Sequence, residues 1–244
     1  MHRIRAALRA SGAHLQYLDA LDAYPTGLEA FWMRCNDPVL LMKVAGAAGV
    51  DPRWSVATAC DGAAAVLGYV GEDEPRPRMA VEMTRSWLER AIPAERCSKA
   101  ADDAEVAAQA YRSARKQVPR AQRRAYRAAA YAAFAASHAA AAARDAALTT
   151  ELEYDENYTF EDAWDGARVS CAELAADALR DAVEAAISAT AARITQETGS
   201  QMAGTAAAQE ARPGTEKWAS DIVRSRIPAE AVLRSAASLL GEPR

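Results

Sequence analysis

The stretch from Arg120 to Leu148 contains a run that is apolar on every side of the helix that it predicts. Between Ala128 and Ala143 no residue carries a fixed charge, and most residues are alanine. A helix without a polar face has to be covered by neighbouring elements. We therefore expect this helix to lie buried at the centre of the molecule.

The rest of the chain has the spacing of amphipathic helices. Apolar residues recur at intervals of three and four between Arg3 and Tyr24, and Met79, Met83 and Trp87 follow at intervals of four. Such intervals place side chains on one helix face. The alternating runs of β-branched residues that would predict strands are not found in the sequence. The pattern therefore predicts an all-α protein.

Prolines and an acidic stretch mark where helices begin and end. Asp37-Pro38 and Asp51-Pro52 each combine a side chain that can cap free amides with a proline at the first helical position. We expect a polar loop over residues 151–165 and a long helix from about residue 164 to residue 197. Pro213 and Pro228 are each expected to open a further helix.

Composition places these helices in one alanine-rich, multi-helix bundle around the central buried helix. The chain has 244 residues, about a quarter of them alanine, and a formal net charge of -4. We expect residues 1–50 to form N-terminal helices that pack on an alanine-rich domain of residues 51–244. Four cysteines without CxxC spacing are typical of a reduced, cytoplasmic protein. The alanine run is too short and too weakly apolar to predict a membrane span.

Charge is unevenly distributed around the central helix. Seven basic residues precede the alanine run, namely Arg112, Arg115, Lys116, Arg120, Arg123, Arg124 and Arg127. Seven acidic residues follow it between Glu151 and Asp165, with no basic residue among them. The basic end could meet phosphates, with Tyr111 and Tyr126 available for stacking. Equally, both runs could be solvated surface.

The acidic run offers a second interpretation, in which it contacts a protein. Carboxylates could cover the basic cleft of a partner and accelerate association by electrostatic steering. The candidate partner-binding residues in this run are Asp155, Glu156, Glu161 and Asp162. An EF-hand calcium loop is rejected, because Phe160 stands where the turn needs glycine and Gly166 where it needs a bidentate glutamate. Weak cation binding by this run stays open.

Arg76 and Arg78 form another candidate contact, in the turn before a helix. Guanidinium groups bind planar anionic oxygens with two parallel hydrogen bonds, so the pair could clamp a partner's carboxylate or another anion. Alternatively, the turn is held by ion pairs to nearby acids within 72–74.

Tyr131, Phe134 and His138 lie three and four residues apart, on one face of the central helix. They suggest a ligand pocket between helices, in which His138 would be a ligand or a base. An enzyme of this kind would bring a cysteine and carboxylates beside His138. The alternative is a core histidine bonded to a neighbouring hydroxyl or carbonyl.

Further along the chain, an acidic stripe on one helix face shows no metal-binding signature. It comprises Glu173, Asp177, Asp181 and Glu184, and we expect it to face solvent or to pair with another helix. The sequence has no phosphate-binding or dinucleotide loop, no nucleophile elbow and no zinc spacing. We therefore predict no metal and no cofactor.

Two blocks of sequence carry a family resemblance. The first comprises Asp51, Trp54, Ala59-Cys60, Val66, Leu67 and Tyr69, then Glu72-Asp73, Arg76-Pro77-Arg78, Ala80, Glu82 and Trp87. The second runs from Trp218 to Arg224 and continues with Ile227-Pro228. In these residues the chain resembles a bacterial family of alanine-rich helical proteins labelled immunity proteins, similar sequences of which are encoded by phages. Glu74-Pro75 departs from that family's pattern.

The resemblance implies a non-catalytic protein that neutralises a bacterial toxin through protein–protein contact. The alternative is a small-molecule enzyme or ligand-binding bundle with its pocket near His138. A nucleic-acid binder is a weaker possibility, since the net charge gives no general attraction for polyanions. Alanine faces on terminal helices, if exposed, would favour a homodimer.

Overall fold

The computed structural model describes Ala6 and residues 27–90, 92–152 and 160–239; the side chains at 150–152, 160–168 and 239 lie outside that description. The described residues form nine α-helices and no strand, which confirms the all-α prediction. The helices are α1 (Leu28–Arg34), α2 (Pro38–Ala47), α3 (Pro52–Val66), α4 (Arg76–Leu88), α5 (Ala94–Ala114), α6 (Arg123–Leu152), α7 (Phe160–Thr198), α8 (Gln201–Arg226) and α9 (Ala229–Leu239). A 3-10 turn, Leu67–Tyr69, follows α3.

Two helix starts form as the sequence predicts. The Asp37 carboxylate accepts from the backbone amides of Val39 and Leu40, both at 3.0 Å, and so caps α2. The Asp51 carboxylate accepts from the amide of Arg53 at 2.8 Å and caps α3. In both helices proline occupies the first helical position, where no amide hydrogen is needed.

The expected polar loop and one expected helix start are wrong in part. Helix α6 continues to Leu152 and α7 already begins at Phe160, so helix occupies both ends of the predicted loop at 151–165. Pro213 lies inside α8 instead of opening a helix. Pro213 is exposed, and α8 continues past it because Ala219 packs against Val183 and Ile187 of α7. Tertiary packing thus overrides the local preference of proline.

Helix α6 is the predicted central buried helix, and α7 is its equal partner. Helix α6 contacts α3, α4, α5 and α7, while α7 contacts α2, α3, α6 and α8. The α6 residues in the main core are fully or almost fully buried alanines, among them Ala132, Ala135, Ala136, Ala139 and Ala140. These small side chains let the helix axes approach closely, which recovers the dispersion contact that an alanine alone cannot supply.

Glycine extends this close packing to α2 and α3. A Cβ atom added to Gly46 would lie 2.5 Å from the Cβ atom of Ala172 on α7. A Cβ atom added to Gly62 would lie 2.8 Å from Cδ2 of Leu179. Both distances are shorter than van der Waals contact, so both helices rest on α7 at glycine positions.

Most of the largest fully buried side chains belong to α1 and α2. Phe31 and Trp32 are fully or almost fully buried in the main core. The indole nitrogen of Trp32 donates to the carbonyl of Ile227 at 3.1 Å, and Arg224 donates to the carbonyl of Trp32 at 2.8 Å. These bonds join α1 to the junction of α8 and α9. Among the described helices, none combines the length and the apolar character that crossing a bilayer requires.

Candidate anion-binding site

One face of α6 carries large side chains instead of alanine. Tyr131, Phe134 and His138 are half-buried on it and line a common cavity of about 460 Å³. The predicted juxtaposition of these three residues is therefore correct. A cavity of this size lies within the range of small-molecule sites.

The other walls of the cavity come from two helices, α5 and α7. Arg112 lies in the last turn of α5 and Arg115 directly follows that helix. Arg180 and Asp181 belong to α7. Helix α6 adds Arg127 and Ala130 to the lining. The cavity thus combines four arginines with one carboxylate, one imidazole and two aromatic rings, and we name it the arginine cleft.

The aromatic rings support two of the arginines. The guanidinium carbon of Arg112 lies 5.5 Å from the ring centroid of Phe134, and that of Arg127 lies 5.3 Å from the centroid of Tyr131. A cation over an aromatic face is attracted by the ring quadrupole. Arg127 also donates to the Tyr131 hydroxyl at 3.4 Å. The rings therefore hold the two guanidinium groups at the mouth of the cleft.

His138 and Asp181 meet at the inner wall. Nδ1 of His138 lies 3.2 Å from Oδ2 of Asp181, yet the geometry is not that of a hydrogen bond, and Nδ1 is buried without a hydrogen-bond partner. The ring of Phe134 stacks on the imidazole at 6.2 Å. The interpretation of His138 as a core residue bonded to a hydroxyl or carbonyl is therefore wrong, because its neighbour is a carboxylate.

The acidic stripe of α7 pairs with other helices at Glu173 and Glu184, as expected, whereas Asp177 pairs within α7. Asp177 forms an ion pair with Arg180 at 2.8 Å, and Glu173 lies 3.9 Å from Lys43 of α2. Glu184 is shared between Arg127, at 3.6 Å, and Arg212, at 2.6 Å. The hydrogen bond to Glu184 raises the pKa of Arg212 above its usual value. These carboxylates partly neutralise the α7 side of the cleft.

The α5 side of the cleft has no such compensation. Within the described part of the chain, neither Arg112 nor Arg115 forms a salt bridge or a hydrogen bond through its side chain. Arg112 is exposed and Arg115 half-buried. Two guanidinium groups without acidic partners repel each other and their neighbours, and a bound anion would relieve that repulsion.

A second cavity, of about 470 Å³, continues from the first. Its lining residues are Arg115, Lys116, Arg123, Arg124 and Arg127. Arg115 and Arg127 line both cavities, so the two are contiguous. Arg124 donates to Thr205 at 2.7 Å and to the carbonyl of Gln201 at 3.0 Å, which are neutral acceptors. We name this cavity the basic extension.

Of the six partner-binding candidates, only Arg76 and Arg78 have described side chains. Asp155 and Glu156 fall outside the described residues, and Glu161 and Asp162 lie in the first turn of α7, with side chains outside the description. Their role stays a prediction.

Arg76 binds an acid of its own turn. Its Nε donates to Oε1 of Glu74 at 2.6 Å, and this hydrogen bond lowers the pKa of the Glu74 carboxyl. Arg78 donates to the carbonyl of Leu67 at 3.5 Å. The Arg76–Glu74 contact matches the internal ion pair that was the alternative to a partner contact, whereas Arg78 bonds a backbone carbonyl instead of an acid.

The cysteine expected of an enzyme site is not beside His138. All four cysteines lie within the described residues and are buried, and none belongs to the lining of the arginine cleft. Burial raises the pKa of Cys60 and of Cys97 to about 11. The described lining also contains no serine or threonine, so it offers no nucleophilic hydroxyl other than the Tyr131 phenol.

The wall with Tyr131, Phe134 and His138 is predictable from the sequence, and the other two walls are not. Arg112 and Arg115 belong to a basic run and Asp181 to an acidic stripe, and neither pattern predicts a shared cavity. Their spacing contains a usable signal, because residues three apart on a helix share a face, as Arg112 and Arg115 do. In the described residues, no group of three or more His, Cys, Asp or Glu side chains is placed to hold a metal ion.

Comparison of the chain with protein-family models, with curated proteins and with solved structures finds no match. The resemblance to immunity proteins stays a prediction that rests on the residues quoted for it.

Proposed function

We propose that this protein is a binding protein for a small anion with two or more negative charges, which it holds in the arginine cleft. One observation carries the proposal: four arginines line a single cavity, and Arg112 and Arg115 among them have no acidic partner in the described residues. Guanidinium groups bind carboxylate and phosphate oxygens through paired, charge-assisted hydrogen bonds.

The net charge of the whole chain makes the clustering of four arginines in one cavity significant. The chain is acidic, with a formal net charge of -4, so the cleft is not a sample of a generally basic surface. A local excess of one sign raises the concentration of oppositely charged ligands at that place. The proposal is therefore of a specific site and not of general affinity for polyanions.

Binding, without catalysis, accounts for the composition of the cleft. Its described lining holds neither a cysteine nor a serine, while the rings of Tyr131 and Phe134 position arginines instead of leaving their faces free. His138 and Asp181 provide hydrogen-bonding groups at the inner wall. Such an arrangement of apolar rings with a few placed polar groups is typical of ligand sites.

The proposal is tested by thermal unfolding in the presence of phosphate, citrate or pyrophosphate, each compared with sodium chloride of equal ionic strength. A ligand that binds the folded state stabilises it by about 2.7 kcal/mol at 100 times its dissociation constant. We expect citrate and pyrophosphate to raise the unfolding temperature more than phosphate does.

The variant for this test is Arg112→Ala/Arg115→Ala, which removes the two arginines without ion pairs. Its matched control is Arg193→Ala, an exposed arginine on α7 that pairs only with Glu197. The double variant should lose the anion effect and the control should keep it. Equal stabilisation of both variants would refute the proposal.

As a second candidate, we propose an immunity function, supported by the family resemblance and by the acidic run from Glu151 to Asp165. The test neutralises Asp155, Glu156, Glu161 and Asp162 together and measures association with a toxin encoded beside this chain. Slower association with a weaker salt dependence is expected. Unchanged kinetics would exclude the acidic run as the contact.

A further inference from the structure

We infer that the ligand of the arginine cleft is a compound with a ring-shaped, hydrogen-bond-donating head and a chain of two or more phosphates, as in a nucleoside di- or triphosphate. This inference rests on the proposed function and assigns its ligand class. It is based on the basic extension, which a simple anion in the arginine cleft would leave unoccupied.

The two cavities differ in chemistry. The described lining of the basic extension is entirely cationic: Arg115, Lys116, Arg123, Arg124 and Arg127. It has no aromatic ring, no apolar side chain and no carboxylate. A wall of this composition suits phosphoryl oxygens, which need charge and many donors.

The extension is also uncompensated. Within the described residues, Lys116 and Arg115 form no salt bridge, and Arg123 and Arg124 donate only to neutral oxygens. Only Arg127 reaches a carboxylate, at 3.6 Å from Glu184. One small dianion in the arginine cleft would leave most of this charge unpaired, whereas a chain of phosphates would neutralise it in sequence.

The arginine cleft, by contrast, contains one group that repels a pure polyanion. Asp181 is buried, and its carboxylate accepts but cannot donate while ionised. Next to it lies His138, whose Nδ1 has no hydrogen-bond partner. This inner wall favours a head that brings its own N–H or O–H donors to Asp181, and it disfavours an inorganic phosphate chain.

The geometry connects the two parts. Arg115 and Arg127 line both cavities, so they stand where the head would join the phosphates. From Arg127 to His138 the axis of α6 rises about 16 Å, at about 1.5 Å per residue. The ligand therefore lies along α6, with its head near His138 and its last phosphate near Arg123 and Arg124.

The absence of carboxylates from the described lining of the extension has a consequence for magnesium. A protein that binds magnesium-bound phosphates commonly supplies carboxylate ligands to the metal. Here the arginines themselves would neutralise the phosphates, and magnesium would compete with them. Binding should therefore persist in a chelator and weaken as free magnesium is added.

The test is calorimetric titration of the full chain at fixed salt with adenosine and guanosine triphosphates, adenosine monophosphate, tripolyphosphate, citrate and a single-stranded 15-mer oligonucleotide. Either triphosphate should bind at least tenfold more tightly than adenosine monophosphate and than tripolyphosphate. Excess magnesium should reduce the affinity for the triphosphate.

The variant that probes the extension is Lys116→Ala/Arg123→Ala, at two exposed positions. It should weaken triphosphate binding at least tenfold and monophosphate binding less than twofold. Lys99→Ala is the matched control, because Lys99 lies on α5 away from the cleft and its side chain is 79% exposed. The control should bind all ligands as the wild type does.

The outcomes separate this inference from the proposed function. If citrate or the monophosphate binds as tightly as the triphosphate and Arg112→Ala weakens it, the anion site stands and the ligand class is wrong. If tripolyphosphate equals the triphosphate, the role of the head is refuted. If the oligonucleotide binds at lower concentration than any nucleotide, the site is a nucleic-acid surface. If nothing binds, both proposals fail.

Discussion

Two faces of α6 are built in opposite ways from the same alanine-rich sequence. On the core face, alanines such as Ala136 and Ala140 are fully buried and bring α3, α4 and α7 into close contact. On the cleft face, Tyr131, Phe134 and His138 replace alanine at intervals of three and four and stay half-buried. The core face is covered by neighbouring helices, whereas the cleft face borders a cavity of about 460 Å³.

The difference shows how side-chain size alone can create a site on a uniform helix. On the core face, alanine lets the neighbouring helices approach closely. On the face that carries Tyr131, Phe134 and His138, helices α5 and α7 contribute arginine side chains to the cavity lining.

The largest effect should follow from introducing leucine on the core face. Ala136→Leu adds three carbons at a position with no exposed surface, so we expect a loss of about 3 kcal/mol of unfolding free energy. Phe134→Leu, on the cleft face of the same helix, should cost less than about 1.5 kcal/mol. Urea unfolding measures both, and equal losses would contradict the division into two faces.

Thiol chemistry should show how completely the core excludes solvent. Burial raises the pKa of Cys60 and Cys97 to about 11 from 9.0, which lowers the thiolate fraction about 100-fold near neutral pH. Burial also raises the pKa of Cys171. We expect these three thiols to react with an aromatic disulfide at pH 8 at least 100-fold more slowly in the native protein than in urea. Peptide mapping identifies the modified residues, and equal rates would show a core open to solvent.

A matched pair of glycines should give effects of opposite sign. Gly46→Ala places a Cβ atom 2.5 Å from that of Ala172, and we expect a loss of about 1–2 kcal/mol. Gly214→Ala meets nothing within 4 Å inside α8, so alanine's better helix propensity should stabilise the protein by about 0.5–1 kcal/mol. The two are compared by urea unfolding. If both substitutions stabilised the protein, the close contact between α2 and α7 at Gly46 would be excluded.

The smallest effect is expected at Arg76, which begins α4 and lies on neither face of α6. Arg76 lowers the pKa of Glu74 from 4.5, so the pair stabilises the folded state above about pH 4.5 and loses its effect as the pH falls through the lowered pKa. Arg76→Ala should cost up to about 1 kcal/mol at pH 7, and this cost should shrink as the pH falls through the lowered pKa of Glu74. Arg96→Ala, an exposed arginine on α5, is the control. A cost for Arg76→Ala that does not change with pH would exclude the ion pair as its cause.

Local chemistry explains what the sequence predicts correctly. The alanine run identifies the central helix, Asp37 and Asp51 identify two helix starts, and the spacing of Tyr131, Phe134 and His138 identifies one wall of the site. Each of these depends on residues within a few positions of one another. Pro213 is the exception, because packing of α8 on α7 decides its position.

The rest of the site depends on which helices are neighbours. Arg112, Arg180 and Asp181 come from helices far apart in sequence, and no periodicity states that α5 and α7 flank α6. Alanine-rich helices make this pairing especially hard to predict, since one alanine face fits many others. The basic run and the acidic stripe were both visible, but their meeting across one cavity is a property of the tertiary structure.

The most direct test of the central claim is a calorimetric titration of the protein with pyrophosphate at fixed ionic strength. The account predicts one site per chain in the wild type, unchanged in Lys99→Ala and at least tenfold weaker in Arg112→Ala/Arg115→Ala. The absence of binding to the wild type, or equal affinity in the double variant, would contradict the assignment of the arginine cleft as an anion site.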